Sequence, residues 1–266
     1  MIRAAVLGSP ISHSLSPAIH NAAYSLLNIE GQYTSFEVTE NELSDFLSQK
    51  KKEGWNCFSL TMPLKESIFA ADLPVEFDSI SSSIRSANTI YDLQSIPKAT
   101  STDFTAFQRL LAPRIESGTL VNLLGGGGTA RAAIGALKER SAHISVYLRG
   151  GETSPRASEL LELFPTLAFT FKEFGDPLTN AELLINTTPA GSADIYAPSE
   201  LGGASILFES LYKPWPTALA ASATERNLLV ISGKELLVEQ ALDQIHLMTG
   251  KSFDFDLMRE KLLGVI

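Results

Sequence analysis

Residues 119–137, TLVNLLGGGGTARAAIGAL, decide the fold of this chain. The stretch begins with a short apolar run at 120–124, which is typical of a buried parallel strand. Four glycines follow, and then small and apolar residues recur with the spacing of one helix face, at Ala130, Ala133, Ile134 and Leu137. A strand, a glycine turn and a helix in this order form the unit that binds the pyrophosphate of a dinucleotide.

The small residues of this turn each have a chemical reason. Gly125 permits the tight turn, Gly127 lets the backbone approach the phosphates, and Ala130 is small enough for the helix to pack on the sheet. The helix N-terminus supplies N–H donors and the positive end of the helix dipole. The pattern predicts a cofactor-binding segment made of Gly125, Gly126, Gly127, Gly128, Thr129 and Ala130. The alternative is a flexible glycine loop.

The next predicted strand, 143–148, ends at Arg149, which two glycines follow. An NAD site would carry Asp or Glu here to hold the ribose 2′-hydroxyl. A guanidinium instead grips a 2′-phosphate with two hydrogen bonds, so Arg149 favours NADP over NAD. The alternative is a solvated surface arginine. Arg156, one turn into the next helix, either assists Arg149 or is simply exposed.

From the glycine strand onward, strands and helices alternate. Strands are predicted at 143–148, 167–171, 183–187, 205–208 and 228–231, and helices at 155–164 and 217–225 lie between them. This alternation is typical of a doubly wound α/β fold. Thr187 and Thr188 end one of these strands, at the edge of the sheet where we expect the cofactor.

Composition and charge exclude several classes of protein. With 266 residues, 44% of them apolar, the chain can form one large or two medium domains with a full core. A net charge of −9 and the lack of a basic run argue against nucleic-acid binding. A single cysteine, Cys57, excludes an intramolecular disulfide, fits a reducing cytoplasm and is expected in the core. No apolar leader and no run of 18 apolar residues occur, so we expect no signal peptide, no membrane span and a cytoplasmic location.

Polar residues stand at two helix starts in the first part of the chain. Ser16 precedes Pro17, which predicts Ser16 as a helix N-cap. Ser14 and Ser16 also form a group of hydroxyls beside helix amides, which suits a carboxylate ligand. Lys65 lies in the first turn of a helix predicted at 63–70, where the dipole disfavours a cation. That is a setting for an acid–base lysine, and the alternative is a lysine extended into solvent.

Three further side chains have both a structural and a ligand-binding interpretation. Asn88 and Asp103 flank a predicted hairpin, so we expect them near each other, satisfying either turn backbone or a ligand. Gln240 lies on the apolar stripe of a helix predicted at 233–249, behind a capping box formed by Ser232 and Glu235. A buried glutamine needs partners, which are either backbone groups or a polyhydroxy ligand.

Taken in order, these motifs resemble one family, the shikimate dehydrogenases. The residues that carry the resemblance extend over nearly the whole chain: Gly8-Ser9-Pro10, His13-Ser14-Leu15-Ser16-Pro17, His20-Asn21, Thr61-Met62-Pro63-Leu64-Lys65, Ala87-Asn88-Thr89, Thr102-Asp103, Gly125 to Ala130, Arg149, Asn186-Thr187-Thr188-Pro189, Leu211-Tyr212 with Pro214 and Thr217, and Gly233 with Leu236, Leu237 and Gln240.

The resemblance implies an α/β protein of two domains with a cleft between them. Residues 1–103, rejoined by 233–266, would form a smaller α/β substrate-binding domain, and 104–232 a Rossmann-type NADP domain. The implied activity is NADPH-dependent, reversible reduction of 3-dehydroshikimate to shikimate in aromatic amino-acid biosynthesis. No metal and no nucleic acid are implied, and the chain would be a monomer or a homodimer.

The resemblance also implies roles for single residues. Ser14 and Ser16 would hold the substrate carboxylate, Lys65 and Asp103 would form the catalytic pair, and Tyr212 would lie by the substrate. The substrate hydroxyls would be bound by Thr61, Asn88, Asp103 and Gln240. The cofactor would be bound by the glycine segment, Thr187 and Thr188, with Arg149 on the 2′-phosphate and Gly233 near the nicotinamide.

The chain departs from the family pattern at five positions, which are Ser101 for Asn, Leu148 for Asn, Gly150 for Thr, Glu209 for Asp and Leu236 for Met. Thr153 or Ser154 could replace the missing hydroxyl at the 2′-phosphate. Two alternatives stay open: a quinate/shikimate dehydrogenase or paralogue that uses NAD, and a non-catalytic NADP-binding protein.

Overall fold

Two six-stranded sheets organise the chain in the computed structural model, which describes residues 1–266 apart from the side chain of Ala142. One sheet belongs to a unit made of Met1–Thr105 and Leu237–Ile266, and the other to a unit made of Ala106–Leu236. Among the described helices, none combines the length and the apolar character needed to cross a membrane.

The strands are β1 (Ile2–Gly8), β2 (Gly31–Glu37), β3 (Cys57–Leu60), β4 (Glu76–Phe77), β5 (Thr89–Tyr91), β6 (Lys98–Thr100), β7 (Thr119–Leu124), β8 (Ser141–Leu148), β9 (Phe169–Glu173), β10 (Leu183–Asn186), β11 (Ile206–Glu209) and β12 (Leu229–Ile231). The helices are α1 (Ser16–Leu26), α2 (Leu43–Lys52), α3 (Leu64–Ser67), α4 (Ser79–Ile84), α5 (Thr102–Leu111), α6 (Gly128–Leu137), α7 (Pro155–Leu163), α8 (Ala218–Glu225), α9 (Gly233–Thr249) and α10 (Phe255–Leu263).

The sheet of the second unit has the order β9-β8-β7-β10-β11-β12, and every neighbouring pair is parallel. Read along the chain this is the order 3-2-1-4-5-6 of a dinucleotide-binding fold, which confirms the predicted Rossmann-type architecture. The strand order reverses between β7 and β10, and ligands of such sheets bind outside the carboxyl ends of the strands at this reversal.

The apolar runs of the sequence explain why this sheet forms. Every residue of β10 and β11 is buried, as expected for parallel strands covered by helices on both faces. The predicted inner face of α6 is buried as well, at Ala130, Ala133, Ile134 and Leu137. The glycine turn lies between β7, in which every residue except Leu120 is buried, and the buried face of α6.

The sheet of the first unit is mixed, with the order β2-β1-β3-β5-β6-β4. β1 pairs in parallel with β2 and β3, whereas β5 runs antiparallel to β3 and to β6. α1 and α9 share an apolar core formed by Ile19, Ala23, Val238, Ala241, Leu242 and Ile245. Cys57 is buried in β3, as predicted for a small core residue.

The helix that carries Lys65 differs from its predicted boundaries. The helix predicted at 63–70 is divided into α3 and a 3-10 turn at Ile68–Ala70, and Pro63 precedes it as the N-cap residue. Lys65 still lies in the first turn, as predicted.

Candidate active site

Lys65 and Asp103 form a close ion pair in the first unit. The Lys65 Nζ donates to Asp103 Oδ2 over 2.5 Å, and the two side chains are 15% and 5% exposed. Asp103 stands in the first turn of α5, and the carbonyl of Lys65 accepts from the Ala87 amide at 2.9 Å. An ammonium that is held by a carboxylate yet reachable from solvent can give a proton to a bound ligand.

Asn88 holds the second oxygen of that carboxylate. Its Nδ2 donates to Asp103 Oδ1 at 2.9 Å and lies 3.2 Å from Gln240 Oε1, while its Oδ1 accepts from the Thr102 amide at 2.8 Å. The β5–β6 hairpin therefore brings Asn88 and Asp103 together, as predicted. Both oxygens of Asp103 now have a donor, which fixes the plane of the carboxylate beside Lys65.

Gln240 is buried in α9 and satisfies its amide within the protein. Its Nε2 donates to the Leu237 carbonyl at 2.7 Å, and its Oε1 accepts from Asn88. The two interpretations of this residue from sequence were backbone partners or a ligand. The structure provides the backbone partner. It also brings Gln240 into contact with the Asn88 side chain, which donates to Asp103.

Gln244, one turn further along α9, extends the same network inward and was missed by the sequence analysis. Its Nε2 donates to Thr89 Oγ1 at 3.0 Å and to the Asn88 carbonyl at 3.3 Å. Its Oε1 accepts from Ser59 Oγ at 2.8 Å and lies 3.2 Å from His20 Nε2. The spacing of Gln240 and Gln244, four residues apart on one helix face, was the available signal.

His20 ends this network in a fully buried position. Its ring stacks on Tyr33 with centroids 3.9 Å apart, and the Tyr33 hydroxyl donates to Ser59 Oγ at 2.6 Å. Burial lowers the pKa of His20 to about 3, against a smaller opposing effect of the Gln244 hydrogen bond. The imidazole is therefore neutral at physiological pH and acts as a packed polar group.

The loop that carries the predicted carboxylate ligands lies next to the loop that carries Thr61, a predicted ligand of the substrate hydroxyls. Ser14 and Ser16 follow β1, Thr61 follows β3, and the Ser9 amide donates to the Met62 carbonyl at 3.1 Å between the two loops. Neighbouring parallel strands end at the same edge of a sheet, so these hydroxyls share one edge of the first unit.

The N-cap prediction for Ser16 is wrong. α1 begins at Ser16 itself, its N-cap residue is Leu15, and the cap has no side-chain hydrogen bond. The Ser16 amide instead donates to Ser14 Oγ at 3.3 Å. The reason is that Leu15 already has helical backbone angles (φ −90°, ψ −5°), which places Ser16 inside the first turn. The Ser16 hydroxyl thus has no capping role.

The glycine turn of the second unit has the shape of a phosphate cradle. Gly125 has φ +102°, and a Cβ built there would lie 2.7 Å from Thr187 Oγ1, so only glycine fits. Thr187 Oγ1 in turn donates to the Leu124 carbonyl at 2.8 Å. Gly127 precedes α6 with an extended backbone and no side-chain cap. The turn and Thr187 stand at the reversal between β7 and β10, and they fit the pyrophosphate of a dinucleotide.

The loop after β8 carries the predicted 2′-phosphate ligands. Arg149 is exposed there, while Arg156 forms an ion pair with Glu159 at 3.2 Å. The Gly150 amide donates to both carboxylate oxygens of Glu173, at 3.0 and 3.2 Å. Glu173 was missed by the sequence analysis because it lies on a different strand, 23 residues further on.

Glu209 is a buried carboxylate that holds two segments near the cofactor edge. It accepts from Asn186 Nδ2 at 2.9 and 3.0 Å, from the Leu211 amide at 3.1 Å and from Thr217 Oγ1 at 2.9 Å. Asn186 Oδ1 accepts from the Thr188 amide and hydroxyl. Burial raises the pKa of Glu209, partly offset by these donors. From sequence it was noted only as a departure from the family pattern.

Gly233 has a packing reason to be glycine. A Cβ built there would lie 2.4 Å from the Leu211 carbonyl carbon, so the start of α9 lies directly against the segment that precedes Tyr212. Ser232 and Glu235 form the predicted capping box, with the Ser232 amide donating to Glu235 Oε2 at 2.7 Å. The role of Gly233 at a nicotinamide stays a prediction.

Comparison with known proteins gives one consistent result. A family model described as the shikimate dehydrogenase substrate binding domain matches residues 6–90. Shikimate dehydrogenase (NADP(+)) of Archaeoglobus fulgidus is 31% identical over 272 residues, which is 100% of this chain and 99% of that protein. The corresponding protein of Thermococcus kodakarensis is 33% identical over 259 residues, or 96% of this chain and 93% of that protein.

Solved structures agree with the sequence relatives. The crystal structure of Mycobacterium tuberculosis shikimate dehydrogenase superposes with a TM-score of 0.85 and 33% identity, and the match covers all of both chains. Shikimate 5-dehydrogenase of Thermus thermophilus, solved in complex with NADP(H) and shikimate, gives a TM-score of 0.82 and 29% identity, again over the whole of both chains.

Proposed function

This chain belongs to the shikimate dehydrogenase family, and from that premise we propose that it catalyses the reversible, NADP-dependent reduction of 3-dehydroshikimate to shikimate. The observation that carries the proposal is the Lys65–Asp103 ion pair at 2.5 Å, held from behind by Asn88. The relatives named as NADP(+) enzymes and the complex of the Thermus thermophilus enzyme support the choice of substrate and cofactor. The reaction is a step of aromatic amino-acid biosynthesis.

Lys65 and Asp103 are the proposed catalytic residues. When bound, NADPH supplies the hydride that reduces the substrate ketone. The Lys65 ammonium donates a proton to the ketone oxygen as that oxygen becomes a hydroxyl, and it stabilises the negative charge that develops there. Asp103 holds the ammonium in place through Oδ2 and offers an acceptor to a substrate hydroxyl. In the oxidation direction the Lys65 amine takes the proton back.

The remaining polar groups of the first unit bind the substrate in this proposal. Ser14 and Ser16 donate to its carboxylate, and its hydroxyls contact the side chains of Thr61, Asn88, Asp103 and Gln240. Support comes from the shared sheet edge of Ser14, Ser16 and Thr61, and from the direct contact of Asn88 with Asp103 and Gln240. The match of residues 6–90 to a substrate binding domain, and the grouping of Met1–Thr105 with Leu237–Ile266 in one unit, support residues 1–103 and 233–266 as the substrate-binding part.

The second unit binds NADP in this proposal, within residues 104–232. The segment Gly125–Ala130 holds the pyrophosphate together with Thr187 and Thr188, and Arg149 binds the 2′-phosphate. Gly233 and Tyr212 contact the nicotinamide and the substrate, respectively. The strand order, the glycine cradle and the exposed guanidinium at the end of β8 support this assignment.

Three further properties, the class of partner, the oligomeric state and the location, complete the proposal. The partner is a small molecule rather than a nucleic acid, and the protein acts as a monomer or homodimer, which sedimentation equilibrium would show. A cytoplasmic location is supported by the single cysteine, Cys57, whose thiol is free and buried.

Initial rates of shikimate and quinate oxidation, each with NADP and with NAD, test the proposal. We expect the rate with shikimate and NADP to exceed the other three. Comparable rates with quinate and NAD would instead indicate the broader quinate/shikimate activity. A protein that binds NADPH but oxidises neither substrate would show a non-catalytic role.

A further inference from the structure

The loop after β8 is held by an acidic side chain of the neighbouring strand. β8 and β9 are parallel with Leu148 opposite Glu173, so the Glu173 side chain lies at the carboxyl end of β8. There both of its oxygens accept from the Gly150 amide, at 3.2 and 3.0 Å. The Glu173 amide itself donates to Asp176 Oδ2 at 3.2 Å. The carboxylate is exposed and thus faces the solvent beside this loop.

In a dinucleotide-binding fold, the end of the second strand faces the adenosine ribose, and this strand is β8. Arg149 and the backbone amide of Gly150 are the groups there that can bind a 2′-phosphate. The Gly150 amide already donates to Glu173, which places one negative charge next to the position of a doubly charged phosphate. The Glu173 carboxylate and a bound 2′-phosphate would both be negatively charged and would therefore repel each other, and dissolved salt would screen part of this repulsion.

We propose that Glu173 is a specificity-determining residue that weakens the preference of this protein for NADP over NAD. It occupies the Gly150 amide and opposes the attraction of Arg149 for the 2′-phosphate. A ribose 2′-hydroxyl carries no charge, so NAD does not meet this repulsion. The inference rests on the proposed function, since it concerns the cofactor of that reaction.

The rest of the loop offers little to replace the occupied amide. The Thr153 hydroxyl donates to the Gly150 carbonyl at 2.8 Å, and the Thr153 amide donates to the same carbonyl at 2.9 Å. Ser154 is buried. The Thr153 hydroxyl is therefore directed into the loop, so it does not substitute for the hydroxyl that is missing at Gly150. Binding of the 2′-phosphate depends on Arg149, and the charge of Glu173 acts directly against it.

Glu173→Gln separates this role from simple support of the loop. The glutamine keeps an oxygen that accepts from Gly150 but removes the charge. Glu116→Gln is the matched control, because Glu116 is an exposed acid of the same unit that precedes β7, at the opposite edge of the sheet. Both variants change the net charge equally.

Calorimetric titration with adenosine 2′,5′-bisphosphate and with 5′-AMP measures the effect, because the two probes differ only in the 2′-phosphate. In Glu173→Gln we expect the bisphosphate to bind about fivefold or more tightly than in the wild type at low salt, and 5′-AMP to change by less than about twofold. In Glu116→Gln neither should change. At about 0.5 M salt the difference in bisphosphate affinity between Glu173→Gln and the wild type should largely disappear, because salt screens the repulsion between Glu173 and the 2′-phosphate.

An unchanged ratio of the two dissociation constants in Glu173→Gln would overturn the inference, and so would a gain that persists in high salt. If the wild type still oxidises shikimate with NADP, the proposed function stands in either case. A wild-type protein that binds neither probe and oxidises no shikimate would overturn both.

Discussion

Acid should destabilise the first unit through one buried side chain, His20. Burial lowers its pKa from 6.5 to about 3 in the folded protein, while the unfolded chain titrates near 6.5. Below pH 6.5 the His20 imidazole therefore binds a proton in the unfolded state but stays neutral in the folded state. The contribution of His20 to the unfolding free energy is therefore complete above pH 6.5 and is lost as the pH falls from 6.5 towards 3.

The loss of unfolding free energy depends on how far the pH lies below the unfolded-state pKa of His20. Each pKa unit corresponds to about 1.4 kcal/mol, so at pH 5 the loss from His20 alone is about 2 kcal/mol. The side chains packed around it add no charge, because Tyr24 and Tyr33 both have pKa values raised by burial. The loss therefore belongs to His20 and can be isolated by replacing it.

Urea unfolding at pH 7 and pH 5 measures this loss. Trp55 reports on the first unit because it is buried in that unit, whereas Trp215 is already 38% exposed. His20→Asn removes the titrating group while keeping a polar side chain. Between pH 7 and pH 5 we expect the variant to lose about 2 kcal/mol less unfolding free energy than the wild type. Equal losses in the two proteins would refute the reasoning.

Three further predictions concern the cradle, the buried network and a helix contact. Gly125→Ala should abolish NADPH binding, since its Cβ would meet Thr187 Oγ1, whereas Gly118→Ala, also at positive φ but with open space around it, should bind normally in a fluorescence titration. Gln244→Leu leaves buried donors and acceptors unpaired and should cost about 1–3 kcal/mol of stability and also lower kcat/KM. A lower melting temperature with unchanged kcat/KM would give Gln244 a purely structural role. Arg259→Met removes the guanidinium that donates to the buried carboxylate of Glu239 and should cost about 3 kcal/mol in urea unfolding, most of which Glu239→Met in the same chain restores. A single variant as stable as the double would contradict this.

The sequence predicted the parts of this protein that depend on local pattern. The strand, glycine turn and helix at 119–137 are contiguous, and the alternation that follows predicted a doubly wound α/β fold, whose strand order the structure then provided. Asn88 and Asp103 were placed together because a short hairpin joins them. Ser16 was assigned wrongly because the start of a helix depends on the backbone angles of Leu15, which the Ser-Pro pair does not determine.

Contacts between distant parts of the chain could not be predicted in this way. The partners of Gln244 include His20 and Ser59, which are 224 and 185 residues away along the chain. Glu173 reaches Gly150 only because β8 and β9 pair in one particular register. These contacts depend on tertiary packing. The identity of one residue does not indicate which distant residue it will contact.

The turnover number of Lys65→Ala tests the central claim most directly. General acid–base catalysis contributes about 100-fold or more, so we expect kcat for shikimate oxidation, in which Lys65 accepts the proton, to fall at least that far while the dissociation constant of shikimate changes by less than about tenfold. Lys98→Ala is the control, because Lys98 also pairs with an aspartate, Asp92, at 3.3 Å but is 44% exposed. It should leave kcat unchanged. A Lys65→Ala enzyme with wild-type kcat would contradict the account.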